Sequence, residues 1–163
     1  MNDLKIEKGI IRKAQRRDLE DINRLLSQVL DVHHKGRPDI FKGDVKKYSD
    51  DELLSIIDDF ERPIFVFEES EKVFGYVFCV IQRYIDNNIL TDIKTLYIDD
   101  LCVDGRFRGK GIGTLLYDYA VAYAKQIGCY NVTLNVWSCN HDAMEFYKKR
   151  GLIPQKVCME TVL

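Results

Sequence analysis

Between Asp18 and His34 the apolar residues Leu19, Ile22, Leu25, Leu26, Val29 and Leu30 recur every three or four positions, the spacing of one helix face. Before them, GIIRKA (9–14) reads as a short strand. Gly36 and Pro38 then break the chain into a loop, GRPDIFKGD. Ser49 with Glu52 three residues on is a capping box, and it opens a second helix, SDDELLSIIDDF. The period next falls towards two. PIFVFEE (63–69) and KVFGYVFCVIQRY (72–84) are β-branched and aromatic, and the tight turn between them predicts a hairpin. A polar loop at 86–92 leads to a strand, TLYIDDLCV (95–103).

After a glycine-rich segment the helical period returns, with Ile112, Leu115, Leu116, Tyr119, Tyr123 and Ile127 on one stripe and Gly128 as its stop. NVTLNVW (131–137) is a strand, and NHDAMEFYKKRG (140–151) is a helix with Asn140 as N-cap and Gly151 as terminator. Residues 152–162 read as a final strand or hairpin arm. The order joins a sequential, antiparallel half to a βαβ half. It predicts an α+β or mixed α/β sheet rather than a doubly wound one. The 163 residues contain no repeat or linker, and they predict one domain.

Composition narrows the function classes. A net charge of −2 lacks the excess of cations on which nucleic-acid binders depend. VFGYVFCVI (73–81), the longest apolar run, is too short to span a bilayer, and the charged N-terminus has no apolar core of a signal peptide. Cys79, Cys102, Cys129, Cys139 and Cys158 are odd in number and never at CxxC spacing, so neither a disulfide framework nor a zinc site is expected. They read as reduced thiols of a cytoplasmic protein.

The chemistry concentrates in RGKGIG (108–113), between a strand and a helix. The NTPase phosphate loop requires glycine where Asp104 stands and Ser or Thr where Gly111 follows Lys110, so it fails at two positions. The dinucleotide fingerprint fails as well, because the glycines are spaced G-x-G-x-G. What remains is R-x-x-G-x-G. Glycines at a helix N-terminus let backbone N–H groups converge on an anion, with Arg108 and Lys110 at the rim; a plain tight turn is the alternative.

With its surroundings, this segment resembles the GNAT acetyltransferase family. The family's Q/R-x-x-G-x-G/A core stands here as Arg108–Gly113, IDDLCVD is similar to its acetyl-CoA strand, and NHDAMEFYKKRGL is similar to its downstream segment, with Leu152 in place of phenylalanine. The resemblance runs from Tyr97 to Leu152. It implies a mostly antiparallel twisted sheet flanked by helices, with a splay between strands that receives acetyl-CoA. The pantetheine arm would lie along Leu101, Cys102 and Val103. The pyrophosphate would sit over Arg108, Gly109, Lys110, Gly111, Ile112, Gly113 and Thr114, with Asn140 as a further cofactor contact or only a helix cap.

The activity implied is direct N-acetylation of a primary amine, either a small amine or polyamine or a protein lysine or N-terminus, without metal. Tyr147 is implied as the acid for the leaving thiolate. Of the acidic pair, Asp99 is the expected base through a water and Asp100 the anchor for the acceptor's charge; ordinary salt bridges are the alternative. A non-catalytic acyl-CoA sensor of the same fold is the rival reading. Homodimers are frequent in the family. Trp137 is either a wall of the acceptor pocket or core, and the GRPDIF loop lies where members contact the acceptor. His33 and His34 read as cations suited to a helix C-terminus, and the pairs Asp50-Asp51 and Asp58-Asp59 as a solvated helix face.

Overall fold

A computed structural model describes residues 9–163; the charged segment before Gly9 lies outside the described residues. Five strands form one sheet in the order β1 (Ile10–Lys13), β2 (Ile64–Glu69), β3 (Lys72–Gln82), β4 (Thr95–Val103) and β5 (Asn131–Leu134). Neighbours are antiparallel except β4 and β5, which run parallel. Helices α1 (Leu19–Gly36) and α2 (Asp50–Asp58) precede the β2–β3 hairpin, α3 (Ile112–Gln126) joins β4 to β5, and α4 (His141–Lys149) follows. The sheet is thus the mixed, mostly antiparallel one expected. Among the described residues no helix is long and apolar enough to cross a membrane.

The sheet separates two cores. On one face α1 and α2 bury Ile22, Leu25, Leu53 and Ile57 against Val66, Tyr76 and Phe78. On the other, α3 buries Ile112, Leu116 and Ala120 against Phe65, Val77, Leu96 and Ile98. Alternation along each strand sends successive side chains to opposite cores. The Ser49–Glu52 box caps α2 as expected: Ser49 accepts from the Glu52 N–H, and Glu52 returns the bond to the Ser49 N–H.

Three expectations are corrected. The buried line of α3 runs through Ile112, Leu116, Ala120 and Ala124, while Leu115 is 48% exposed. Alanines carry little hydrophobic weight in a periodicity, yet their small size is what lets a helix lie close to a sheet. The strand expected over 131–137 ends at Leu134, because β4 diverges beyond that point and the ladder stops. Residues 152–163 have no ladder partner and form no strand, and their apolar side chains, such as Ile153 and Met159, stand exposed.

One glycine seats α3. A Cβ on Gly75 of β3 would stand 2.9 Å from Leu116 Cδ1 and 3.0 Å from the carbonyl oxygen of Cys102. Only a bare backbone admits the helix that closely.

Candidate active site

At the end of β4, Asp104 pins the glycine loop to the body. Its N–H donates to Phe74 O at 2.8 Å, and its buried carboxylate pairs with Arg106 at 3.0 Å and with Arg24 of α1. The hydrogen bond from Arg106, joined by Arg24, holds the Asp104 carboxyl well below the usual carboxylate range. Beyond the following turn, Gly109 and Gly111 have φ of +76° and +86°, and no heavy atom lies within 4 Å of where a Cβ would stand on either. Both therefore face open space in a conformation that side chains disfavour.

Helix α3 starts at Ile112, so the first-turn N–H groups of Ile112, Gly113 and Thr114 have no acceptor within the helix and add to its positive end. Arg108 donates from Nε to Val103 O at 3.2 Å, and Lys110 Nζ lies 5.1 Å from the centroid of Phe107. The loop is a bared, positively charged backbone, and its donor set fits a pyrophosphate.

The splay lies beside it. β4 pairs with β5 only from Thr95 to Ile98 and continues to Val103 with β3 as its one partner strand. Since the Asp104 N–H turns towards β3, alternation turns the Cys102 backbone the same way and leaves Leu101 and Val103 facing the gap. The Val103 carbonyl is already taken by Arg108. The Cys102 thiol is buried 3.6 Å from Leu25 O, and burial pushes it up to about 12. Of the three residues Leu101, Cys102 and Val103, the first and last are therefore the ones whose backbone faces the gap.

A β-bulge brings the acidic pair together. Phe78 pairs with Asp100 but Cys79 with Ile98, so Asp99 is an extra residue in β4. In an unbroken strand adjacent carboxylates would point to opposite faces. Here both approach one ammonium, Lys47 Nζ, at 3.3 Å from Asp99 Oδ2 and 3.7 Å from Asp100 Oδ2. Asp100 also accepts from the Tyr76 hydroxyl at 3.0 Å. Burial raises the Asp100 carboxyl above its ordinary value, against the opposing pull of Lys47 and of Tyr76. Asp99 is the more exposed of the two, with 33% of its side chain in solvent against 10%.

The loop after α1 walls this end. His33 packs on Phe41 with centroids 4.9 Å apart, and Phe41 meets Trp137 edge-on at 5.1 Å. His34 Nδ1 bonds Phe41 O at 2.7 Å. Trp137 is thus a lid residue of this wall, 40% exposed, and not core. Burial lowers the His33 pKa, against the opposing pull of Asp100. Asp50 and Asp58 pair with Lys46 and Arg16 on the surface, as a solvated helix face should.

Tyr147 stands between the two ends. On α4, Phe146 covers Gly113, whose Cβ would lie 3.7 Å from the Phe146 ring, and Tyr147 packs towards Tyr117 at 6.4 Å. Burial, then the Asp100 charge, then Tyr117 raise the Tyr147 phenol well above its ordinary value, so it stays protonated. Asn140 caps α4, its Oδ1 accepting from the Ala143 N–H at 3.2 Å. Lys47, Tyr76 and Arg24 lie in no motif; each is brought to the site from chain distant in sequence. Among the described residues no three His, Cys, Asp or Glu side chains gather as metal ligands.

Comparison with known proteins yields a match of residues 27–152 to the model of the Acetyltransferase (GNAT) family. A glucosamine 6-phosphate N-acetyltransferase of Arabidopsis thaliana is 28% identical over 116 residues, covering 71% of this chain and 68% of that protein. An uncharacterized N-acetyltransferase of Methanocaldococcus jannaschii is 38% identical over 100 residues, covering 60% of this chain and 42% of that protein. Among solved structures, a variant of the BH1408 protein from Bacillus halodurans superposes with a TM-score of 0.90 at 33% identity, over 94% of this chain and 99% of that one.

Proposed function

This chain belongs to the acetyltransferase (GNAT) family, and from that premise we propose that it transfers the acetyl group of acetyl-CoA directly to a primary amine held at Asp99 and Asp100. The observation that carries this reading is the bulge. It turns both carboxylates towards a single ammonium position, next to a phenol that is kept protonated.

The residues fit the co-substrate. The N–H groups of Ile112, Gly113 and Thr114, with Arg108, Gly109, Lys110 and Gly111, suit the pyrophosphate, and Leu101 and Val103 suit the pantetheine amides. Asn140 caps its helix through Oδ1, and its Nδ2 is the atom suited to a further cofactor contact. Bound acetyl-CoA supplies a thioester, whose carbonyl carbon is the electrophile.

The acceptor arrives as an ammonium with a pKa of about 10.4, so it must lose a proton before it reacts. Burial favours a division of labour opposite to the one read from sequence. Asp100, with its carboxyl raised, is the better base, and the more exposed Asp99 is the better anchor for charge. Tyr147 then protonates the departing thiolate. His33, Phe41 and Trp137 shield the acceptor's carbon skeleton from water.

A relative named for glucosamine 6-phosphate supports a small, amine-bearing acceptor. The test is thiol release from acetyl-CoA against polyamines, amino sugars, aminoglycosides, amino acids and lysine-bearing peptides, with calorimetric titration of CoA alongside. Release with one amine class is the expected result. Tight CoA binding with no release from any amine would instead favour a sensor.

A further inference from the structure

The position an acceptor ammonium must take is already filled by one. Lys47 reaches the acidic pair from the loop before α2, with Nζ 3.3 Å and 3.7 Å from the two carboxylates and 5.3 Å from the centroid of Tyr48. It is a primary alkylamine like the acceptors proposed above, and 28% of its side chain remains exposed. Its neighbour Lys46 points away, to Asp50 at 2.6 Å on the surface of α2.

We propose that Lys47 is itself an acetyl acceptor, so that with acetyl-CoA bound and no other amine present the protein acetylates its own Lys47 Nζ. The inference rests on the transfer reading above. The ammonium gives one proton to Asp100, and the freed lone pair attacks the thioester carbonyl carbon. A C–N bond forms, the C–S bond breaks, the thiolate takes its proton from Tyr147, and the second proton shed by the nitrogen restores the Tyr147 phenol. Amine and thioester become amide and thiol, with no oxidant or reductant required. Ion pairing keeps Lys47 charged, which makes the self-reaction slow; proximity offsets this by making it unimolecular. The product has no charge to offer Asp99 and Asp100 and lies across the acceptor's place. Acetylation at Lys47 therefore closes the site that performs it.

The test is to incubate the full chain with acetyl-labelled acetyl-CoA and no amine, then map the label by peptide mass spectrometry. Label on Lys47 and not on Lys46, formed at a rate per molecule independent of protein concentration and suppressed by excess CoA, is expected. Asp100→Asn should slow labelling of Lys47 by ~10²-fold or more, the lower reach of losing a general base. Equal labelling of Lys46 and Lys47, or of both at rates CoA does not suppress, would be solution chemistry and overturns the proposal. So does an unlabelled Lys47 in a preparation that still releases thiol with an added amine, and that result leaves the transfer reading standing. Failure to bind CoA, by calorimetry on the same preparation, overturns both.

Discussion

The two ends of the cleft are built in opposite ways. The glycine-loop end draws almost wholly on residues 101–114, and its shape is a property of local backbone: positive φ at Gly109 and Gly111, then a helix start. The acidic end is assembled from His33 of α1, Phe41 and Lys47 of the following loop, Tyr76 of β3, the β4 bulge and Trp137 beyond β5. An anion is held well by convergent N–H groups, which one short segment can supply. An amine has to be held, deprotonated and shielded at once. Those tasks need side chains from several directions, and only tertiary packing supplies them.

Substitutions at each end should therefore fail differently. Gly111→Glu places a side chain at φ +86° and a carboxylate among the open N–H groups, and it should abolish CoA binding by calorimetry in a protein that still folds by circular dichroism. Retained affinity would remove the loop from phosphate binding. Tyr147→Phe should lower turnover by ~10² or more with CoA affinity nearly unchanged, the weight of one proton-transfer group. Unaltered turnover would take Tyr147 out of the reaction.

A smaller effect is expected in the pH profile. Because burial raises Asp100, the acid limb of kcat/KM should lie above the ~3.9 of a free aspartate, and Asp100→Asn should abolish that limb along with much of the rate. Linkage gives the same group a second signature. A carboxyl raised in the folded state contributes stability that is full below the ordinary carboxylate range and is lost as pH rises through its folded value. Denaturation midpoints of Asp100→Asn should accordingly fall less than those of the parent between acid and neutral pH. An unchanged difference across the series would show that Asp100 titrates normally.

The mildest substitution tests how far the glycine-loop end is truly local. Gly75→Ala forces a Cβ against Leu116 and the Cys102 carbonyl, and overpacking of this kind costs about 1–3 kcal/mol. Chemical denaturation should register that loss. If CoA affinity falls with it, the seat of α3 on β3 is part of the anion site.

Much of this was legible in the chain. Every helix and strand but the last is legible within a few residues, α1 by the period of its buried face and α2 by its capping box. The misplacements have separate causes. On α3 the large apolar residues drew the stripe towards Leu115, while the packing line used Ala120 and Ala124. β5 and the tail depended on whether a partner strand was present, which no local pattern carries. The resemblance singled out Tyr147 and the acidic pair. It did not single out Lys47, because a lysine in a polar loop has no periodic or motif signature.

By itself the sequence determined what depends on neighbours in the chain: the elements, the capping box at Ser49, and a glycine loop that opens its backbone at a helix start. Tertiary structure decided what depends on register and on distant charge. One extra residue in β4 turned Asp99 and Asp100 towards one ammonium, and burial raised the Asp100 carboxyl. The physical reason is range. Dihedral preference and hydrophobic period act over a few residues, whereas desolvation and Coulomb interaction act across space on whatever the fold brings near.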